Sequence, residues 1–324
     1  MPSNAMKRRN VLKTLLCAGL IGLSGQASAL PKMVRIVVPA GAGGPTDTQA
    51  RLLAQELQRI LGISVVVDNK PGASGLIGSA EVARAPSDGT TLLYAPDYVV
   101  TQAPHALKKM AFNPFTDLTP IARTADLAPV LLAGTQAPFS TVSELIKYAK
   151  THPGEVSFAS WGTGTGSHLY GEILGKRNDL QLTHVPYKGT ADAMNDLLNN
   201  RVQFSFQPPS VVFQYPGKLK VLATAGTKRN PLLPELPTLH ELGFRGFEMG
   251  GWVGFYGPGK MQPALVQKLN AAINQALGRP AVRAMWETQG CVVVQEPSEG
   301  IAAMLRRDSA TWGKYFKEVG LEPQ

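Results

Sequence analysis

The chain has 324 residues, 44% of them hydrophobic, and a formal net charge of +9. Such a composition excludes a disordered or low-complexity protein and allows packed cores in one large domain or two of ordinary size. Lys7, Arg8, Arg9 and Lys13 precede residue 30, where no acid stands, so the rest of the chain carries 28 of the 32 basic residues against 23 acidic ones, and no block of Lys and Arg interleaved with aromatics offers a nucleic-acid groove.

The first residues read as an export signal. Lys7-Arg8-Arg9 is a charged leader, Val11 to Leu23 an apolar core too short for a membrane span, and Ala27-Ser28-Ala29 a small-residue cleavage site. Residues 1–29 are therefore expected to be a signal peptide cut after Ala29, with the mature protein in the periplasm. Arg8-Arg9-Asn10-Val11-Leu12-Lys13 is similar to a twin-arginine motif, with Val11 where Phe is usual, and leaves the general and twin-arginine routes both open. Cys17 leaves with the signal. Cys291 then has no internal partner, and before Val292-Val293-Val294 it reads as a small buried hydrophobe.

Val34-Arg35-Ile36-Val37-Val38 reads as a buried strand, followed by the glycine turn Pro39 to Gly44 and a helix ended by Gly62. Thr46 with Gln49 three residues on predicts a capping box. Val65-Val66-Val67, a second glycine turn at Asp68 to Gly75, a helix through Val82 and the strand Thr91-Leu92-Leu93-Tyr94 follow. From about Asp126 the pattern restarts. Pro129 to Ala133 and Val156 to Ala159 are strands, Thr141 with Glu144 makes another capping box, and the turn Ser160 to Ser167 leads into a helix from His168. His184 to Tyr187, Val202 to Phe206 and Leu219 to Ala225 are further strands, and Gly250 to Gly259 a return strand. Helices over Pro263 to Leu277, Ala281 to Thr288 and Ile301 to Val319 close the chain. Alternating strands and helices predict α/β lobes with parallel sheets, whose ligands sit beyond the carboxyl ends of the strands.

Enzyme signatures fail one by one. Gly41-Ala42-Gly43-Gly44-Pro45-Thr46 has Thr46 where a dinucleotide fingerprint needs its third glycine, and Gly162 to Ser167 has Ser167 there. No Gly-Lys-Ser/Thr follows either turn, and the histidines lack the spacing of a zinc site. No cofactor or metal is expected. What remains is a set of uncharged donors: the amides of Ala40, Gly41, Ala42, Gly43 and Gly44, the Thr46 hydroxyl, the Thr163 to Ser167 turn and Lys188-Gly189-Thr190. Donors of this kind at helix starts suit a carboxylate. The alternative for each turn is simple chain reversal.

Several motifs together resemble one family. They are Val37-Val38-Pro39-Ala40-Gly41-Ala42-Gly43-Gly44-Pro45-Thr46-Asp47, Val67-Asp68-Asn69-Lys70-Pro71-Gly72-Ala73-Ser74-Gly75, Ser87-Asp88-Gly89-Thr90, Gly164-Thr165-Gly166-Ser167-His168, Val185-Pro186-Tyr187-Lys188-Gly189-Thr190 and Leu233-Pro234-Glu235-Leu236-Pro237. The chain resembles the extracytoplasmic substrate-binding proteins of tripartite tricarboxylate transporters, the Bug receptors. The resemblance implies a two-lobed periplasmic binding protein fold, type II-like, each lobe a mainly parallel sheet flanked by helices. Lobe 1 would be 30–126 with 251–324, and lobe 2 would be 127–250. It implies a monomeric receptor, not an enzyme, that hands a small organic carboxylate to integral membrane permease subunits. One jaw would be Ala40 to Thr46 with Asp47, the other Ser160, Gly164, Thr165, Ser167, Gly189 and Thr190, with Asp192 toward the distal part of the ligand. The chain departs from the family at Tyr94-Ala95-Pro96-Asp97, where an acid replaces a small polar residue. In the cleft, Asp97 would repel a second carboxylate and welcome an ammonium or hydroxyl; otherwise it is a surface acid. The alternatives are an exported hydrolase using Ser167 and His168, or a sensory receptor of the same fold.

Overall fold

The computed structural model describes residues 31–187 and 189–323, so the signal peptide expected over 1–29 and any part played by Lys188 lie outside the described residues. In chain order the first half runs β1 (Met33–Val38), α1 (Pro45–Leu61), β2 (Ser64–Asn69), a 3-10 turn (Ala73–Gly75), α2 (Leu76–Ala83), β3 (Thr91–Pro96), α3 (Tyr98–Thr101), α4 (Ala103–Ala106) and β4 (Leu118–Leu127). Next come β5 (Val130–Gly134), α5 (Val142–Thr151), β6 (Val156–Ser160), α6 (Gly166–Asn178), β7 (Leu182–Pro186), α7 (Thr190–Leu198), β8 (Phe204–Gln207), α8 (Ser210–Gln214) and β9 (Leu219–Thr224). The chain closes with β10 (Gly251–Pro258), α9 (Pro263–Leu277), α10 (Pro280–Thr288), β11 (Val292–Val293) and α11 (Ile301–Val319). No helix among the described residues is long and apolar enough to cross a membrane.

Two sheets share one plan. The first has the order β11-β4-β10-β3-β1-β2, the second β7-β6-β8-β5-β9. In each, three strands pair as second, first, third, with parallel ladders around the first. The next strand belongs to a segment that has crossed from the other sheet and runs the opposite way: β10 against β3, and β5 against β8. Beyond it β4 and β9 run with the first three. Four strands of each sheet thus point one way, and their carboxyl ends gather on one edge.

The sequence accounts for most of these elements. The apolar run Ile36 to Val38 is buried on both faces, as a strand covered by helices on each side demands. Thr141 caps α5, its hydroxyl oxygen accepting the Glu144 amide at 3.1 Å. The capping box at Thr46 is corrected: Gly44 is the cap residue, Pro45 follows, and no side chain caps the end. Gln49 points inward, donating to Gln289 Oε1 at 2.5 Å and accepting the Tyr94 hydroxyl at 2.9 Å. A second difference is β4, a ten-residue strand that the apolar pattern does not announce.

Helix α11 spans the two cores. Ile301 and Leu305 pack with Val37, Leu93 and Trp252 of the first. Trp312 and Phe316 pack with Phe158, Tyr170 and Phe206 of the second. Along its length this helix straps the lobes together beside the cleft.

Candidate functional site

A cavity of about 400 Å³ lies between the two sheets. Residues at or just beyond the carboxyl ends of strands from both line it: Ser74 beyond β2, Asp97 after β3, Leu127 at the end of β4, Trp161 after β6 and Pro208 after β8. This is where open α/β sheets bind ligands.

Two helix starts reach the same wall. In α1 the first intrahelical bond runs from the Thr48 amide to the Gly44 carbonyl at 3.0 Å, and Pro45 has no amide hydrogen. The amides of Thr46 and Asp47 therefore have no partner within the helix. In α6 the first such bond runs from the Leu169 amide to the Thr165 carbonyl at 3.0 Å, freeing the amides of Gly166, Ser167 and His168. Thr46, Thr165 and Gly166 all line the cavity. Two positive helix ends thus face one space from opposite lobes, an arrangement that favours an anion.

A family model described as the tripartite tricarboxylate transporter family receptor matches residues 49–321. The chain belongs to this receptor family. Among solved structures, the periplasmic binding protein BugD is 36% identical, with a TM-score of 0.79 over 90% of this chain and 99% of BugD. Rpa4515 from R. palustris, solved with adipate, is 30% identical with a TM-score of 0.83, over 91% of this chain and 99% of that one. MatC from Rhodopseudomonas palustris, solved with malate, is 31% identical with a TM-score of 0.77, over 87% and 98%.

Of the residues singled out in the sequence, the receptor brings Thr46, Asp97, Thr165 and Thr190 together in the cavity wall. The others stand back from it. Gly41, Ala42 and Gly43 are exposed, and Ala40 and Gly44 half-buried. Asp47 is turned inward, accepting the Gly43 amide at 2.8 Å, Asn69 Nδ2 at 2.9 Å and Arg51 Nε at 3.0 Å. It braces the opening loop from below. Burial pushes its carboxyl up, but the donors Arg51, Gly43 and Asn69 outweigh this and hold it below the usual range. Ser160 and Ser167 are buried within their own turn, where Ser160 Oγ accepts the Gly162 amide and Ser167 Oγ accepts the Trp161 amide, each at 3.1 Å. Gly164 is buried too, its amide donating to His168 Nδ1 at 3.0 Å. Gly189 is half-buried and Asp192 exposed, neither in the wall.

Sequence reasoning did not select Ser74, Gln102, Trp161 and Trp312 for the site, yet all four line it. Trp161 follows directly on a strand's carboxyl end, a position that marks it in the sequence. Gln102, between two four-residue helices, carries no such mark.

The hydrolase alternative fails on geometry. Ser167 bonds to Trp161 and Thr165, while His168 takes the Gly164 amide on Nδ1 and turns Nε2 toward Glu172 at 3.3 Å. Cys291 also lines the cavity, but burial pushes its thiol up to about 12.

Behind the Ser160 turn, His184 stacks on His168 with centroids 3.7 Å apart, and its Nε2 lies 2.6 Å from Ser160 Oγ. Burial first, then His168, depresses the His184 pKa to about 4. An unfolded chain would bind the proton near pH 6.5, so the stability this neutral ring supports is full above that pH and declines as pH falls toward 4. Asp97, whose carboxyl burial raises to about 7, acts in the opposite sense. The difference between the wild type and His184→Gln isolates the effect: the gap in urea midpoint is expected to shrink from pH 7.5 to pH 4.5. A constant gap contradicts it.

Proposed function

We propose that this receptor closes on a small organic carboxylate held between the starts of α1 and α6 and delivers it to the integral membrane subunits of a tripartite tricarboxylate-type transporter. The observation that carries the reading is the pair of free helix starts, one from each lobe, at a single cavity. Adipate in Rpa4515 and malate in MatC, both carboxylates, support it. The lobes are taken as 30–126 with 251–324 and 127–250, in keeping with the membership of the two sheets. The receptor acts in the periplasm as a monomer once its signal peptide is removed after Ala29.

Uncharged donors explain how such a site both holds and releases its ligand. They stabilise an anion through hydrogen bonds without the desolvation of a buried ion pair. Thr46→Val removes a hydroxyl from the wall while keeping side-chain shape, and Thr165→Val removes the hydroxyl that donates to the Gly162 carbonyl at 2.7 Å and so sets the turn at the start of α6. Each is expected to weaken binding of the carboxylate that co-purifies, identified by mass spectrometry, by about tenfold or more, Thr46→Val by losing a hydrogen bond to a charged group, which contributes about 1.5–3 kcal/mol, and Thr165→Val by loosening the turn that aims the α6 amides. Titration calorimetry reads the loss, and an unchanged far-UV spectrum shows that the fold is kept. Full affinity in both variants contradicts the clasp.

A further inference from the structure

The cavity wall also holds a buried acid. Asp97 follows the last residue of β3, at the junction where the chain returns between the lobes, and is 3% exposed. Its Oδ1 accepts the Trp252 amide at 3.1 Å and its Oδ2 accepts the Thr101 hydroxyl at 3.0 Å. Each oxygen keeps an acceptor position open. No ion pair among the described residues includes Asp97.

A second acceptor stands in the same wall. Gln102 is 4% exposed, lines the cavity, and its side-chain carbonyl has no hydrogen-bond partner among the described residues. A buried acceptor without a partner is unfavourable, so a donor brought to it would be stabilised. The aromatic side chains of Tyr98 and Trp161 line the same space, and an aromatic ring is a surface on which a cation can settle. A second carboxylate of a ligand would meet Asp97 as a like charge; an ammonium would meet it as a counter-ion.

We propose that the ligand carries a positively charged nitrogen besides its carboxylate, an amino-acid-like zwitterion, and that Asp97 and Gln102 receive the nitrogen while the helix starts hold the carboxylate. This rests on the carboxylate reading above and adds the second charged group.

The groups that face Asp97 are the Trp252 amide and Tyr256 from β10, Thr101 from its own helix, Tyr170 from α6 and Asp308 from α11. Burial first, and then Asp308, raise its pKa to about 7, against the hydrogen bonds of Trp252 and Thr101. Above that pH it is an anion in need of a partner; below it the neutral acid loses its preference for ammonium.

The test is titration calorimetry at pH 8.5 with pairs of probes that differ only in the amine: leucine and 4-methylpentanoate, phenylalanine and 3-phenylpropanoate, 4-aminobutyrate and butyrate, glutamate and glutarate. In each pair that binds, the amine-bearing member is expected to bind at least tenfold more tightly, and Asp97→Asn to reduce this preference to less than threefold. Equal or tighter binding of the amine-free members to the wild type overturns the proposal while leaving the carboxylate reading intact. Failure of every probe to bind overturns both. The wild-type comparison stands alone should the variant be poorly folded.

Discussion

Trp312→Ala is expected to lower the stability of the receptor by about 3–5 kcal/mol, the range for removing a fully buried aromatic side chain. The indole is 1% exposed, with the rings of Tyr170 at 5.4 Å and Tyr315 at 5.8 Å between centroids. It belongs to the core of the second lobe although it lies on the last helix of the chain, whose earlier residues pack into the first. Its ring also backs the start of α6, where a side chain added at Gly166 would stand 3.3 Å from it. The alanine variant therefore loses core area, one strap between the lobes and part of the cavity wall together. Urea unfolding reads the first effect and calorimetry the loss of ligand. Trp312→Phe keeps most of the packing and separates the two; a loss below about 1 kcal/mol in the alanine variant contradicts the strap.

Asp47→Ala is expected to cost about 2 kcal/mol and to weaken carboxylate binding about tenfold. The carboxylate gathers donors from Gly43, Asn69 and Arg51, and in the first turn of α1 it also opposes the positive helix end. Its removal releases the loop that sets the start of the helix, so affinity falls although Asp47 does not line the cavity. The variant should also change the response to acid. Because the folded pKa is depressed, the stability Asp47 contributes is present above the ordinary carboxylate range and lost as pH falls through the folded value. Below that value, unfolding of the wild type and the variant should converge. Asp47→Asn, which keeps one acceptor oxygen, is expected to fall between them.

Long amphipathic helices were the most legible elements. Pro263–Leu277 and Ile301–Val319 match their apolar stripes because a fixed spacing must be buried whatever the neighbours. The strand Leu118–Leu127 was not legible. Thr119, Pro120, Arg123, Thr124 and Asp126 interrupt its apolar residues, and its position is set by the return strand, whose ladder with it shifts register in two places. Tertiary pairing, not local pattern, makes it a strand.

The site divides the same way. Thr46, Asp97, Thr165 and Thr190 reach the cavity wall, and each lies just past a strand or at a helix start. Asp47, Ser160 and Ser167 share that sequence context, but short polar side chains in a glycine turn are also what the turn itself needs, and here they satisfy its backbone, as the Thr165 hydroxyl also does while reaching the wall. Trp312 reads as core and is core; only the crossing of the last helix from one lobe to the other brings it to the cavity. Burial decided the ambiguity at Asp97, since an acid 3% exposed in the cavity wall is no surface residue.

The most direct test of a clasp between the two helix starts is thermal unfolding of the mature receptor with dicarboxylates, aromatic acids and amino acids. At a hundredfold its dissociation constant, at least one carboxylate should stabilise the fold by about 2.7 kcal/mol. A receptor that none of them stabilises, or that a ligand without a carboxylate stabilises instead, contradicts it.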